Sequence, residues 1–138
     1  MRTGLHVCRG NWSRREDVLL SGDYSRLVPA FERMRVTQFV LEYATPRAGD
    51  IEIVGRSLGD REIGLGVVNP RTEEPESVEA IVAQVERALE FLAPERIFLN
   101  PDCGFGCFAN RCVNDESTAL EKMKRIAEAA RRLRARFG

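Results

Sequence analysis

The chain has 138 residues, 43% hydrophobic and 30% charged, which suits one globular domain with a single core and excludes a disordered polypeptide. Lys+Arg and Asp+Glu number 21 each, so the chain lacks the basic excess with which nucleic-acid-binding domains hold phosphates. No apolar stretch approaches a membrane span and the N-terminus lacks the apolar core of a signal peptide. A cytoplasmic protein with neither nucleic acid nor membrane as partner is expected, and there its four cysteines read as metal-binding or reactive thiols rather than disulfides.

In chain order the sequence gives four similar units, each a short apolar strand, a polar loop and a helix. The first strand is expected at Gly4–Cys8, with Leu5 and Val7 apolar. A helix begins near Asp23 with Leu27, Val28, Phe31 and Met34 on its apolar face, and Pro29 blurs its start. Thr37–Glu42 is rich in strand formers, and a short helical or irregular stretch is expected around Ile51–Leu58. Ile63–Val68 is the third strand. An amphipathic helix runs from Ser77 to Leu92, with Val78, Ile81, Val82, Val85, Leu89 and Leu92 on one face, and Pro94 ends it. The fourth strand is Arg96–Asn100. The last helix, Glu116–Arg136, has the expected apolar face Leu120, Met123, Ile126, Ala127, Ala130 and Leu133, and its basic run Arg131, Arg132, Arg134 and Arg136 suits a solvated face at the negative end of the helix dipole.

Alternating strands and helices imply a parallel sheet with right-handed crossovers. A closed eight-fold barrel takes about 250 residues. Four units therefore fit either a small open α/β sheet or half of a barrel, and spacing alone does not choose.

In both architectures ligands sit beyond the carboxyl ends of the strands. Metal-capable residues recur there. His6 and Cys8, two apart on the first strand, point to the same face; Glu42 closes the second strand; Cys103 follows the fourth. One imidazole, one carboxylate and two thiols suit zinc better than magnesium or calcium, which favour all-oxygen shells. Taken singly, a histidine at a strand end is commonly just hydrogen-bonded and a cysteine commonly packs as a small hydrophobe. Glu42 resists that plain reading, because a carboxylate ending an apolar strand rarely stays buried unpaired.

Cys103, Cys107 and Cys112 give C-x3-C-x4-C, which matches neither ferredoxin spacing and has no fourth cysteine nearby, so Cys107 and Cys112 read as incidental loop residues. Gly104-Phe105-Gly106 lacks the third glycine of a dinucleotide-binding loop, and no Gly-x-Ser-x-Gly marks a serine hydrolase.

Three segments in order carry a resemblance over essentially the whole chain: Leu5-His6-Val7-Cys8-Arg9-Gly10-Asn11, Leu41-Glu42-Tyr43 leading to Arg47-Ala48-Gly49-Asp50, and Asn100-Pro101-Asp102-Cys103-Gly104-Phe105-Gly106, with Leu65-Gly66-Val67-Val68 similar too. They resemble the C-terminal catalytic region of the cobalamin-independent methionine synthase family and its shorter bacterial members. The resemblance implies a (β/α)8 TIM-type barrel of which residues 1–138 form the C-terminal half, four βα units with parallel strands. It implies a zinc ion held by His6, Cys8, Glu42 and Cys103, the same four residues that the strand ends select.

It implies further a zinc-dependent thiol methyltransferase, in which a methyltetrahydropteroyl-glutamate gives its methyl to homocysteine and methionine forms. The expected partners are a small-molecule thiol, a folate methyl donor, and a second copy or a complementary half-barrel chain, since an open four-stranded parallel sheet leaves two edges and one face uncovered. Related possibilities are an alkyltransferase that opens epoxides with coenzyme M thiol, and a non-catalytic zinc-binding half-barrel or truncated product. Longer members place a histidine after the third strand; here Val68-Asn69-Pro70 stands there, so no proton donor carries over.

Overall fold

The structure is a computed structural model that describes residues 1–106 and 108–138. Four strands, β1 (Gly4–Val7), β2 (Gln38–Leu41), β3 (Glu62–Val68) and β4 (Ile97–Pro101), form one sheet in the order β1-β2-β3-β4, every neighbouring pair parallel. The helices are α1 (Val28–Arg33), α2 (Ile51–Ser57), α3 (Val78–Leu89) and α4 (Glu116–Phe137). Sequential order with right-handed crossovers puts every connecting helix on the same face.

Side-chain alternation shows which face that is. Phe39, Leu41, Ile63, Leu65 and Val67 are buried in one cluster with Phe31, Val54, Ile81, Val85, Ile126 and Leu133 of the four helices. Residues of the opposite parity share a row across the sheet, His6 beside Val40 beside Gly64 beside Phe98, and Phe98 remains 39% exposed. The sheet thus has one apolar face under helices and one open face, with β1 and β4 as edges.

Capping fixes where the helices start. Asp50, Ser77 and Asp115 accept hydrogen bonds from the backbone N–H groups of Glu52, Ala80 and Thr118 at 2.9, 3.1 and 2.7 Å, opening α2, α3 and α4. The first helix begins at Val28, later than Asp23, because Pro29 suits only the first turn of a helix. Only Phe31 of its expected apolar face is buried, while Leu27 and Met34 are exposed. Pro94–Arg96 forms a 3-10 turn, so β4 starts at Ile97 rather than Arg96.

The last helix is rotated from the expected face. Leu120 and Met123 are exposed, whereas Lys122, Ile126, Ala129 and Leu133 are buried. Lys122 is drawn inward by polar partners: its Nζ donates to the Asn69 carbonyl at 2.7 Å and to Thr72 Oγ1 at 2.8 Å, with Glu76 Oε2 at 3.6 Å. The arginines of this helix lie at the surface, Arg132 pairing with Glu79 and Glu128, and Arg136 with Glu86. No helix among the described residues is long and apolar enough to cross a membrane.

Candidate metal centre

The carboxyl ends of β1, β2, β3 and β4 line one rim because the strands run parallel in register, Val7 beside Leu41, Leu41 beside Leu65 and Leu65 beside Leu99. One ligand-capable atom each from His6, Cys8, Glu42 and Cys103 lies within 4.8 Å of the other three. All four residues singled out in the sequence therefore meet at one rim. Cys8 and Glu42 stand one residue past their strands, and Cys103 two past β4.

The histidine is set to offer a lone pair. His6 Nδ1 lies 3.1 Å from the Val40 carbonyl, which can only accept, so Nδ1 carries a proton and Nε2 is the nitrogen that offers the lone pair in the neutral ring. That Nε2 lies 3.9 Å from Glu42 Oε1.

Glu42 is 2% exposed and braced from several sides. The Tyr24 hydroxyl accepts from the Glu42 N–H at 3.0 Å and donates to the Glu42 carbonyl at 3.2 Å. Burial pushes the Tyr24 phenol up to about 12, so it keeps the proton that this second bond needs. Asn11 Nδ2 donates to Glu42 Oε2 at 2.6 Å. The other oxygen, Oε1, is buried without a hydrogen bond of normal geometry. Burial pushes the Glu42 carboxyl up, against the pull of the Arg9 backbone N–H, the Asn11 amide and His6.

Asp102, next to Cys103, ties two ligand segments together. Its Oδ1 accepts from the backbone N–H groups of Tyr43 and Ala44, both at 2.9 Å, so the residue preceding Cys103 holds the two residues following Glu42. Burial pushes the Asp102 carboxyl up to about 7 in spite of these donors. The carboxylate fits only because position 66 is glycine: a Cβ there would overlap Asp102 Oδ1 and stand 2.9 Å from the Leu41 carbonyl. Arg9 is buried and donates to the carbonyls of Leu20, Gly22 and Arg47, with its guanidinium 4.9 Å from the Tyr24 ring centre, closing the loop after β1 beneath the site.

The donor set fits a zinc-type ion. A buried carboxylate oxygen without a hydrogen bond, an imidazole with its lone pair unengaged and two thiols are the mixed O, N and S ligands of tetrahedral sites. Tetrahedral ligation at bond lengths of about 2.0–2.3 Å requires the four donors to close somewhat, and the exposed Cys8 has the rotational freedom to do so. Cys112 stands apart, exposed, with its Sγ 3.7 Å from the Phe108 carbonyl. Cys107 lies outside the described residues.

Sequence reasoning found the four rim residues but assigned no part to Tyr24, Arg9 or Arg71. Asn11 and Asp102 stood within the motifs as neighbours of ligands, a signal in plain sight. Tyr24 and Arg71 left none, since they act across 18 and 60 positions of sequence.

A parallel α/β half-barrel of the TIM type, with thiol, imidazole and carboxylate donors converging at its carboxyl rim, defines the class of protein. Residues 5–129 match the family described as cobalamin-independent synthase, catalytic domain. The methionine synthase of Pyrococcus horikoshii is 33% identical over 97% of this chain, and that of Thermococcus kodakarensis 35% identical over 100% of it. A B12-independent methionine synthase from a Shewanella species, solved in complex with selenomethionine, superposes with a TM-score of 0.80 at 15% identity over 97% of the chain, a likeness of fold. The chain belongs to the cobalamin-independent methionine synthase family. It spans about a third of those relatives, 34% of the Pyrococcus protein and 39% of the Shewanella chain.

Proposed function

We propose that residues 1–138 form the zinc-binding C-terminal half of a methionine-synthase-type (β/α)8 barrel, and that this half prepares a thiol for methylation. The observation that carries the reading is the meeting of His6, Cys8, Glu42 and Cys103 within 4.8 Å at the rim where barrels of this type place their chemistry. The open sheet face, the two strand edges and a groove of about 620 Å³ beside β4, lined by Val85, Leu89, Ile97, Leu99 and Phe137, support four further strand–helix units completing the barrel, in the same polypeptide or another.

Zinc bound here would supply a charge that keeps a coordinated thiol deprotonated near neutral pH, where a free thiol has a pKa of about 8.5. The chain's own residues do the rest of the preparation. Cys8 and Cys103, as thiolates, and Glu42, as a carboxylate, would more than offset the charge of a divalent ion and so leave the substrate sulfur electron-rich. The His6 Nδ1–H bond to Val40 fixes the ring. A thiolate so prepared would be the nucleophile for a methyl carried on a donor nitrogen; the carbon–nitrogen pair would stay on that nitrogen, which takes up a proton from solvent in place of the one the thiol released.

The acceptor in this reading is homocysteine and the donor a methyltetrahydrofolate, by analogy with the methionine synthases to which the chain is similar. The groups that would grip the amino acid and the folate belong mainly to the other four units. Homocysteine added to the zinc-loaded chain in weakly buffered solution is expected to release about one proton per site, and Cys103→Ser to abolish the release. No proton release from the zinc-loaded wild-type chain would contradict thiol activation here.

A further inference from the structure

The Glu42 carboxylate is held by more than its own strand. Asn11, 1% exposed, donates from Nδ2 to Glu42 Oε2 at 2.6 Å and accepts at Oδ1 from Arg71 Nε at 2.8 Å. The orientation of this amide is determined, because a carboxylate only accepts and a guanidinium only donates. Arg71 comes from the loop after β3, whose shape is kept by the Arg71 N–H bond to Asn69 Oδ1 at 3.0 Å and the Asn69 N–H bond to Glu76 Oε1 at 2.7 Å. Two loops far from Glu42 in sequence thus end, one through the other, on one oxygen of its carboxylate, while its second oxygen has no hydrogen bond of normal geometry and faces His6.

We infer that Asn11 and Arg71 are positioning residues that fix Glu42 as a one-oxygen ligand, reserving Oε2 for the amide and presenting only Oε1 to the ion. This rests on the zinc reading above. A carboxylate free of the clamp can offer both oxygens, which raises the coordination number and removes the preference for a tetrahedral shell. Arg71 acts one step further out: without it Asn11 Oδ1 loses its donor, and the amide is free to turn and present oxygen instead of nitrogen to Glu42.

Cobalt(II) replacing zinc reports this directly, because tetrahedral cobalt gives intense visible d–d bands and five-coordinate cobalt weak ones. The wild-type chain is expected to show the intense bands. Asn11→Ala is expected to weaken them and to lower zinc affinity, measured by chelator competition, by about 10–100-fold. Arg71→Ala, a change in a surface loop outside the core, is expected to shift both readouts in the same direction, and Arg71→Lys, which keeps a donor, to restore them. Tetrahedral bands and wild-type affinity in Arg71→Ala and in folded Asn11→Ala, with the wild-type chain binding cobalt normally, would overturn the clamp while leaving the site intact. Failure of the wild-type chain to take up cobalt or zinc would overturn the site itself.

Discussion

The backbone N–H, the carbonyl and Oε2 of Glu42 each have a partner, whereas Oε1, which faces His6, has no hydrogen bond of normal geometry. Tyr24 holds the main chain, Asp102 holds the two following N–H groups, and Asn11 holds Oε2. Leaving Oε1 buried without a donor is costly in a folded protein unless an ion takes that place. Gly66 is the least conspicuous part of this arrangement, since its contribution is the absence of a side chain. Gly66→Ala is expected to push Asp102 off Tyr43 and Ala44 and to destabilise the fold by about 2 kcal/mol, the usual scale for overfilling a packed site. Urea denaturation checks the first effect; a parallel loss of metal affinity shows that Asp102 also sets the distance between Glu42 and Cys103.

The elements show how far sequence patterns reach. All four strands and three of the four helices could be read from period and composition, because a buried parallel strand is a short apolar run and α3 repeats apolar residues at helical spacing; α2 is too short for its pattern to separate helix from irregular chain. Glu42 and Cys103 were legible as strand-end residues for the same reason. The face of α4 was not: apolarity favoured Leu120 and Met123, but Lys122 is buried by acceptors on the β3–α3 loop some 50 positions away. Partners at that distance leave no periodic trace. Lys122→Met is therefore expected to cost about 2 kcal/mol, as the Asn69 carbonyl and Glu76 lose a charged donor, and Leu120→Ser almost nothing; thermal denaturation separates the two.

The start of α4 carries a pH dependence. The Thr118 N–H and the hydroxyls of Thr118 and Ser117 hold the Asp115 carboxyl below its ordinary range. The unfolded chain consequently binds this proton more readily, so the stabilisation is fully present above about pH 4 and is lost as pH falls through the lowered folded-state value. The melting-temperature advantage of wild type over Asp115→Asn is expected to shrink on acidification from neutral pH to below pH 4, and a constant difference would remove Asp115 as its source.

For the whole molecule, the sheet positions a complete donor set and leaves one face, two edges and the groove beside β4 uncovered. His6, Cys8, Glu42 and Cys103 are ordered by β1, β2, β4 and the loops beyond them, with Tyr24, Asn11 and Asp102 as braces, all of them within this chain. Metal binding should accordingly survive in this chain alone. The direct test is the zinc content of the purified chain by elemental analysis, beside Cys8→Ser and Cys103→Ser. The account predicts about one zinc per wild-type chain and a large loss in both variants. Zinc-free wild-type protein that takes up none on addition, or full zinc occupancy in both variants, would contradict it.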